Sequence, residues 1–354
     1  MTPLSTRALT RTLWLRQQLV PGQRSVTDTG AMVEHLIGLQ AQDNLPPYLS
    51  LAARIDDFDP LDLSGRLEHR ELVRFRTLRG TVHVLTPDDA LTLRPWVQSA
   101  LDRVSASSAQ NRPAAHLTNE TLEADVRRIV DGEALPIGEL SARLGEVHPD
   151  VPEPVLRHVV PERVPLLQVP PRGLWKRSGG VIYALADDWL ARPFAEVDLP
   201  DLVRRYLLAY GPATPADMTK WSTVTRLAPA FKAMHQAGDL VTWTDEKGRT
   251  LYDVPDGVLA DEDLDLPPLM LGSYDNIFIA HADRDRIAPD SARKRWMGAN
   301  GGVGSTLFVD GLLAGLWRVD GERIVVDPFR KLTADQRRGV DREKERVAAL
   351  LATT

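Results

Sequence analysis

Apolar residues recur at helical spacing along most of the chain and change to strict alternation at only a few places. The clearest case runs from Asp201 to Val254. "DLVRRYLLAYG" has a helical period and stops at Gly211, a common helix terminator. "TPADMTKWS" opens with Thr214 as an N-cap and Pro215 at the first helical position. "TVTRLAPAFKAMHQAGD" predicts a third helix despite Pro229, ended by Gly238, and "LVTWTDEKGRTLYDV" alternates as two strands about the turn "DEKG".

The same order recurs upstream. "TLEADVRRIVDG", "LPIGELSARLGE" and "PEPVLRHVVPERV" precede the hairpin "LLQVPPRGLWKRSGGVIYAL". Nearer the start, helices at Thr6–Leu19, Asp28–Leu39 and after Pro47 precede "LVRFRTLRGTVHVL", turning near Arg79-Gly80. Three helices and a hairpin make a winged-helix unit, in which the third helix and the wing commonly meet DNA. The tail differs. "STLFVDGLLAGLWRVDGERIVVDPF" holds two Asp-Gly turns between alternating runs, and "TADQRRGVDREKERVAALLA" is a charged amphipathic helix. The expected fold is therefore α+β: three tandem winged-helix units, a C-terminal antiparallel β meander and a terminal helix. Boundaries are expected at 1–115, 116–196, 197–260 and 261–354.

Composition narrows the function classes. The sequence contains no Cys, which excludes disulfides, thiolate metal sites and cysteine nucleophiles. No apolar run approaches the length of about eighteen residues that a membrane span needs, and the N-terminus lacks a cleavable leader pattern. A cytoplasmic monomer without membrane attachment is expected. The eight His are dispersed and no G-x-S-x-G occurs, so neither a metal centre nor a serine hydrolase is indicated. Gly298, Gly301, Gly302 and Gly304 suggest a flexible loop before a strand, not a phosphate cradle. No cofactor is called for.

Net charge is -6, yet the charge is segregated. Five Arg lie between Arg66 and Arg79 against Glu68 and Glu71, and Arg172, Lys176 and Arg177 cluster in the second hairpin. Arg284, Arg286 and their neighbours form a third basic stretch. Such clustering permits a basic groove on an acidic protein. A merely solvated surface is the plain alternative. In the third unit, Lys220, Arg226 and Lys232 serve packing as readily as a groove.

One stretch resists a structural explanation: "GLQAQDNLPPYLSLAARI", with Gln40 and Gln42 flanking one alanine. On a continuous helix, residues two apart diverge by roughly 200°. If the helix ends near Leu39, an extended Gln-Ala-Gln sets both amides on one side. Two such dipoles can orient a water and stabilise nearby positive charge; they can equally satisfy a helix end.

"GLQAQ", the hairpin "RGTVHVLTPDD", the three winged-helix units, "SYDNIFIAHADRDRI" and "VDGLLAGLWR" together resemble the AlkZ/YcaQ family of bacterial DNA glycosylases. The resemblance spans nearly the whole chain in order. It implies that Gln40 and Gln42 are catalytic, in the Gln–aliphatic–Gln form of the AlkZ-like branch, with Asp43 one place beyond the motif. His83, Asn44 and Asp43 are candidates for the same pocket. Arg74, Arg76, Arg79, Arg172, Lys176, Arg177, Arg284 and Arg286 are candidates for phosphate contacts, because guanidinium forks match phosphate oxygens. Asp275 and Arg284 fall in family-like sequence without an assignable role. The implied activity is metal-free, monofunctional hydrolysis of the N-glycosidic bond of cationic N7-alkylguanine or N3-alkyladenine in duplex DNA. Bulky natural-product adducts and interstrand crosslinks are conceivable substrates, as self-resistance. The competing class is a non-catalytic winged-helix regulator, which would be expected to dimerise.

Overall fold

The computed structural model describes residues 3–296, 304–321 and 323–354. Gly298, Gly301 and Gly302 of the expected loop lie outside the described residues. The chain opens with α1 (Thr6–Arg16), α2 (Thr29–His35), β1 (Leu39–Gln40), α3 (Leu45–Ala52) and α4 (Pro60–Glu68), then the hairpin β2 (Val73–Arg76) and β3 (Val82–Leu85). The long α5 (Pro87–Ser107) leads to α6 (Asn119–Val130), β4 (Leu135–Pro136), α7 (Ile137–Val147), α8 (Glu153–Arg163) and a second hairpin, β5 (Leu166–Val169) and β6 (Ile182–Leu185). After α9 (Ala186–Leu190) come α10 (Leu199–Tyr210), α11 (Pro215–Ser222), α12 (Ala228–Ala237) and a third hairpin, β7 (Val241–Thr244) and β8 (Thr250–Asp253). The C-terminal part contains β9 (Leu269–Leu271), α13 (Asn276–Ile279), α14 (Asp290–Trp296), β10 (Ser305–Val309), β11 (Leu312–Asp320), β12 (Arg323–Pro328) and α15 (Ala334–Ala352).

Local chemistry explains most of these boundaries. Ser5, Asp28, Thr86, Thr118, Asp198, Thr214 and Thr333 each accept a backbone N–H of the first helical turn, and Thr214 and Thr333 complete capping boxes with Asp217 and Gln336. The Pro46-Pro47 pair lies within the first turn of α3, so that helix starts before Pro47. A first helical turn does not use its N–H groups, so prolines fit there without loss. Asp310 and Gly311 both have positive φ, +54° and +78°, in the turn joining β10 to β11.

Long-range pairing joins what the sequence separates. The first two hairpins merge into one six-stranded sheet, ordered β1-β3-β2-β5-β6-β4, through the antiparallel pairing of Arg74 with Gln168 and Phe75 with Leu167. The third hairpin forms a separate two-stranded sheet, bridged to Leu4 and Ala213, and β12-β11-β10-β9 forms the C-terminal meander. The cores cross the segment boundaries too. Trp14, Phe75, Tyr206, Trp221 and Phe308 share one core, whereas Val33, Leu39, Tyr48, Met270, Trp317 and Val347 share another. The segment from α6 to β6 keeps a core largely its own, around Leu122, Leu140, Leu156 and Leu166. None of the described helices is long and apolar enough to cross a membrane.

Candidate active site

The Gln-Ala-Gln stretch is set by the way α2 stops. The helix ends at His35, four residues before the expected Leu39, because Ile37 and Gly38 turn the chain with φ of +52° and +94°. Glycine is needed at the second position on two counts. A Cβ on Gly38 would lie 2.4 Å from Leu85 Cδ2, and the left-handed backbone itself disfavours any other residue. The chain then enters β1, where Leu39 pairs with Val84 and Gln40 with His83, and the Ala41 N–H donates to the Val82 carbonyl at 2.7 Å. β1 ends at Gln40; Ala41, just beyond it, is completely buried, and Gln42 lies in the bend that follows. Gln40 is 7% exposed, while Gln42 and Asp43 are exposed. The Gln42 Oε1 lies 3.4 Å from the Val82 N–H, a long hydrogen bond. Asn44 is half-buried at the start of α3, with its Oδ1 shielded and unpartnered among the described residues.

Gln40 is not alone. Arg79, at the hairpin turn with φ of +57°, donates from Nη2 to Gln40 Oε1 at 3.0 Å and to His83 Nε2 at 2.8 Å. His83 Nδ1 faces the Thr81 carbonyl at 3.0 Å; a carbonyl only accepts, so Nδ1 carries the proton and Nε2 the lone pair. Burial first, and the Arg79 charge second, push the imidazole well below its ordinary pKa. His83 is therefore a neutral acceptor. Burial also pushes Arg79 down to about 10, which leaves it charged at neutral pH.

The "SYDN" sequence braces this strand from behind. Asn276 Nδ2 donates to the Gly38 carbonyl at 2.8 Å and to the Tyr210 hydroxyl at 3.0 Å, and that hydroxyl donates to the Leu36 carbonyl at 2.6 Å. Next to it, Asp275 receives a two-pronged bond from Arg54, at 2.8 Å on each oxygen, and one from the Ser50 hydroxyl, also at 2.8 Å. The pair is sealed from solvent, at 0% and 1% side-chain exposure. Nothing local in the sequence around Arg54, Tyr210 or Asn276 points to the partners they meet, Asp275, Leu36 and Gly38.

The basic candidates divide into two groups. Arg74 and Arg286, expected at the DNA surface, are buried at 2% and 4% exposure. Arg74 donates to the Ala41 carbonyl at 2.8 Å and packs its chain against Gly173; Arg286 donates to the Pro212 carbonyl at 3.2 Å, beside His281. Burial, then repulsion from Arg172, pushes the Arg74 guanidinium down to about 10. Arg76 donates to the Gly80 carbonyl at 2.7 Å and lies 3.8 Å from Glu162. Arg284 is half-buried over the Trp296 ring. Lys176 and Arg177 are exposed and Arg172 is half-buried, on the β5–β6 loop whose Gly173 touches Arg74. That loop is thus one side chain from the backbone of the Gln-Ala-Gln stretch. An open groove of about 520 Å³ runs past Arg79, Thr219, Lys220 and Thr223. A cavity of about 400 Å³ bordered by Asp102, Asn111 and Arg163 includes no residue of β1 or its hairpin.

Residues 33–350 match the family model described as DNA glycosylase AlkZ-like. The chain belongs to the AlkZ-like DNA glycosylase family. It is thus a hydrolase of N-glycosyl bonds, and the regulator alternative is set aside. The glycosylase is similar to the interstrand DNA cross-link repair glycosylase of Streptomyces sahachiroi, with 24% identity covering 95% of this chain and 94% of the relative. Its fold is that of the solved Streptomyces sahachiroi DNA glycosylase AlkZ, at a TM-score of 0.78 and 21% identity, over 99% of this chain and 98% of that one.

Proposed function

We propose that this AlkZ-like glycosylase releases cationic alkylated purines, N7-alkylguanine and N3-alkyladenine, from duplex DNA, with Gln40 and Gln42 holding the attacking water. The observation that carries the reading is the chemistry of the groups around Gln40. They are neutral amides, a neutral imidazole whose Nε2 accepts, and a guanidinium. None of these readily protonates a departing neutral base, and a guanidinium 2.8 Å from the imidazole resists a second proton there. An alkylated purine needs no such acid because alkylation has already placed a positive charge on the base. The glycosidic electron pair returns to the base and cancels that charge, the water oxygen bonds to C1′, and a water proton passes to solvent. What the protein supplies is position and fixed dipoles.

The test is single-turnover release of base from one duplex sequence carrying N7-methylguanine, uracil, hypoxanthine or 1,N6-ethenoadenine. N7-methylguanine is expected to leave and the three neutral bases to stay. Efficient uracil excision would overturn the mechanism and direct attention to Asp43. Bulky adducts and interstrand crosslinks are the proposed natural substrates, supported by the similarity to the Streptomyces interstrand cross-link repair glycosylase and by the open groove past Arg79. Unhooking of a crosslinked duplex on a denaturing gel checks this.

The DNA contact is proposed to run along the loop bearing Arg172, Lys176 and Arg177, with the enzyme acting as a monomer. Each neutralised phosphate contributes about -0.9 to the slope of log K against log salt. Lys176→Glu with Arg177→Glu is expected to flatten the slope by about 2 without lowering the single-turnover rate at saturation. An unchanged slope would move the DNA path elsewhere.

A further inference from the structure

We propose that Arg79 is the positioning residue that orients the Gln40 amide, rather than a phosphate contact; this rests on the catalytic role proposed for Gln40. A guanidinium has donors only, so the atom of Gln40 facing Arg79 Nη2 at 3.0 Å must be the amide oxygen. The side-chain NH2 is thereby turned the other way, and no described residue accepts from it. Gln40 consequently presents a donor to the substrate side, while Gln42 offers a carbonyl held only by one long contact from Val82. The pair is a donor and an acceptor, not two convergent carbonyls. A water between them accepts through one lone pair and donates through one hydrogen, which leaves the other lone pair directed for attack at C1′.

Arg79 is itself held from three directions. Its backbone occupies the left-handed region, unusual for a non-glycine residue. Its Nη2 also meets the lone pair of His83, and its Nη1 donates to the Trp221 carbonyl at the end of α11. The guanidinium is committed to an amide, an imidazole and a carbonyl, with no carboxylate among these partners. That arrangement consumes the fork that a phosphate would require.

The experiment is a kinetic double-mutant cycle with Arg79→Ala, Gln40→Ala and the double variant, on duplex carrying N7-methylguanine under single-turnover conditions. Arg79→Ala is expected to slow excision by about 100-fold, the effect of a misplaced catalytic group. In the Gln40→Ala background the same change is expected to have no further effect. Duplex affinity and its salt slope are expected to stay at wild-type values. Arg79→Lys, which retains one donor, is expected to recover part of the rate and supplies the readout if the alanine variant does not fold. Multiplying rate effects, a wild-type rate for Arg79→Ala, or a slope flattened by about 0.9 would overturn the proposal, the last by identifying a phosphate contact. A wild-type rate for Gln40→Ala would instead remove the underlying reading of Gln40.

Discussion

Gln40→Ala and Gln42→Ala are each expected to slow base excision by about 10²–10³-fold, the loss seen when one fixed dipole is removed from a polar transition-state site. Gln40 stands nearly buried at the end of β1 and Gln42 exposed two residues on, with the intervening Ala41 fully buried. The stretch is anchored by Ala41 N–H to Val82, by Arg74 to the Ala41 carbonyl and by Asn276 to the Gly38 carbonyl. None of these anchors uses a glutamine side chain. Trimming Gln40 or Gln42 therefore leaves the backbone in place, and duplex affinity and melting temperature are expected to change little. Single-turnover rates and binding isotherms measured on the same preparations check this. Wild-type rates in both variants would refute the assignment of the catalytic pair.

The largest stability effect is expected at Asp275. Removing one member of a buried pair leaves the other charged and unpaired, at a cost of about 3–5 kcal/mol. Arg54 is fully buried and directs its Nη1 and Nη2 at Asp275, so Asp275→Ala creates that situation. Burial alone would push the Asp275 carboxyl up. The Arg54 charge and bonds, the Ile277 N–H and the Ser50 hydroxyl outweigh it and hold the carboxyl below its ordinary value. A depressed folded pKa stabilises above the unfolded value, about 3.9. That contribution is lost as pH falls through the still lower folded value. Urea unfolding is expected to show a large loss for Asp275→Ala at neutral pH and a narrowing gap to wild type below about pH 4. A loss under about 1 kcal/mol at neutral pH would mean that the pair does not brace the core. Because Asn276 follows directly and holds Gly38, the same variant is expected to lose excision activity as well.

Several parts of this protein are written locally. Caps such as Asp28, Thr214 and Thr333, the apolar periods of α6–α8 and α10–α12, and the Asp-Gly turn at Asp310-Gly311 all act within a few residues. They determined the order of helices and hairpins, the C-terminal meander and the end of α2 before Gln40. Other features rest on partners far along the chain. The first two hairpins share a sheet only because Phe75 finds Leu167, and Asp275 has a role only because Arg54 lies opposite it. The arginines show the division most clearly. In sequence, Arg74, Arg79, Arg177 and Arg286 look alike, since a guanidinium suits a phosphate and a backbone carbonyl equally well. Tertiary packing turned Arg74 and Arg286 inward to carbonyls, locked Arg79 between Gln40 and His83, and left Arg177 in solvent. Local periodicity reports which face of an element is apolar; which carbonyl or amide a long polar side chain will meet is decided only when distant segments close around it.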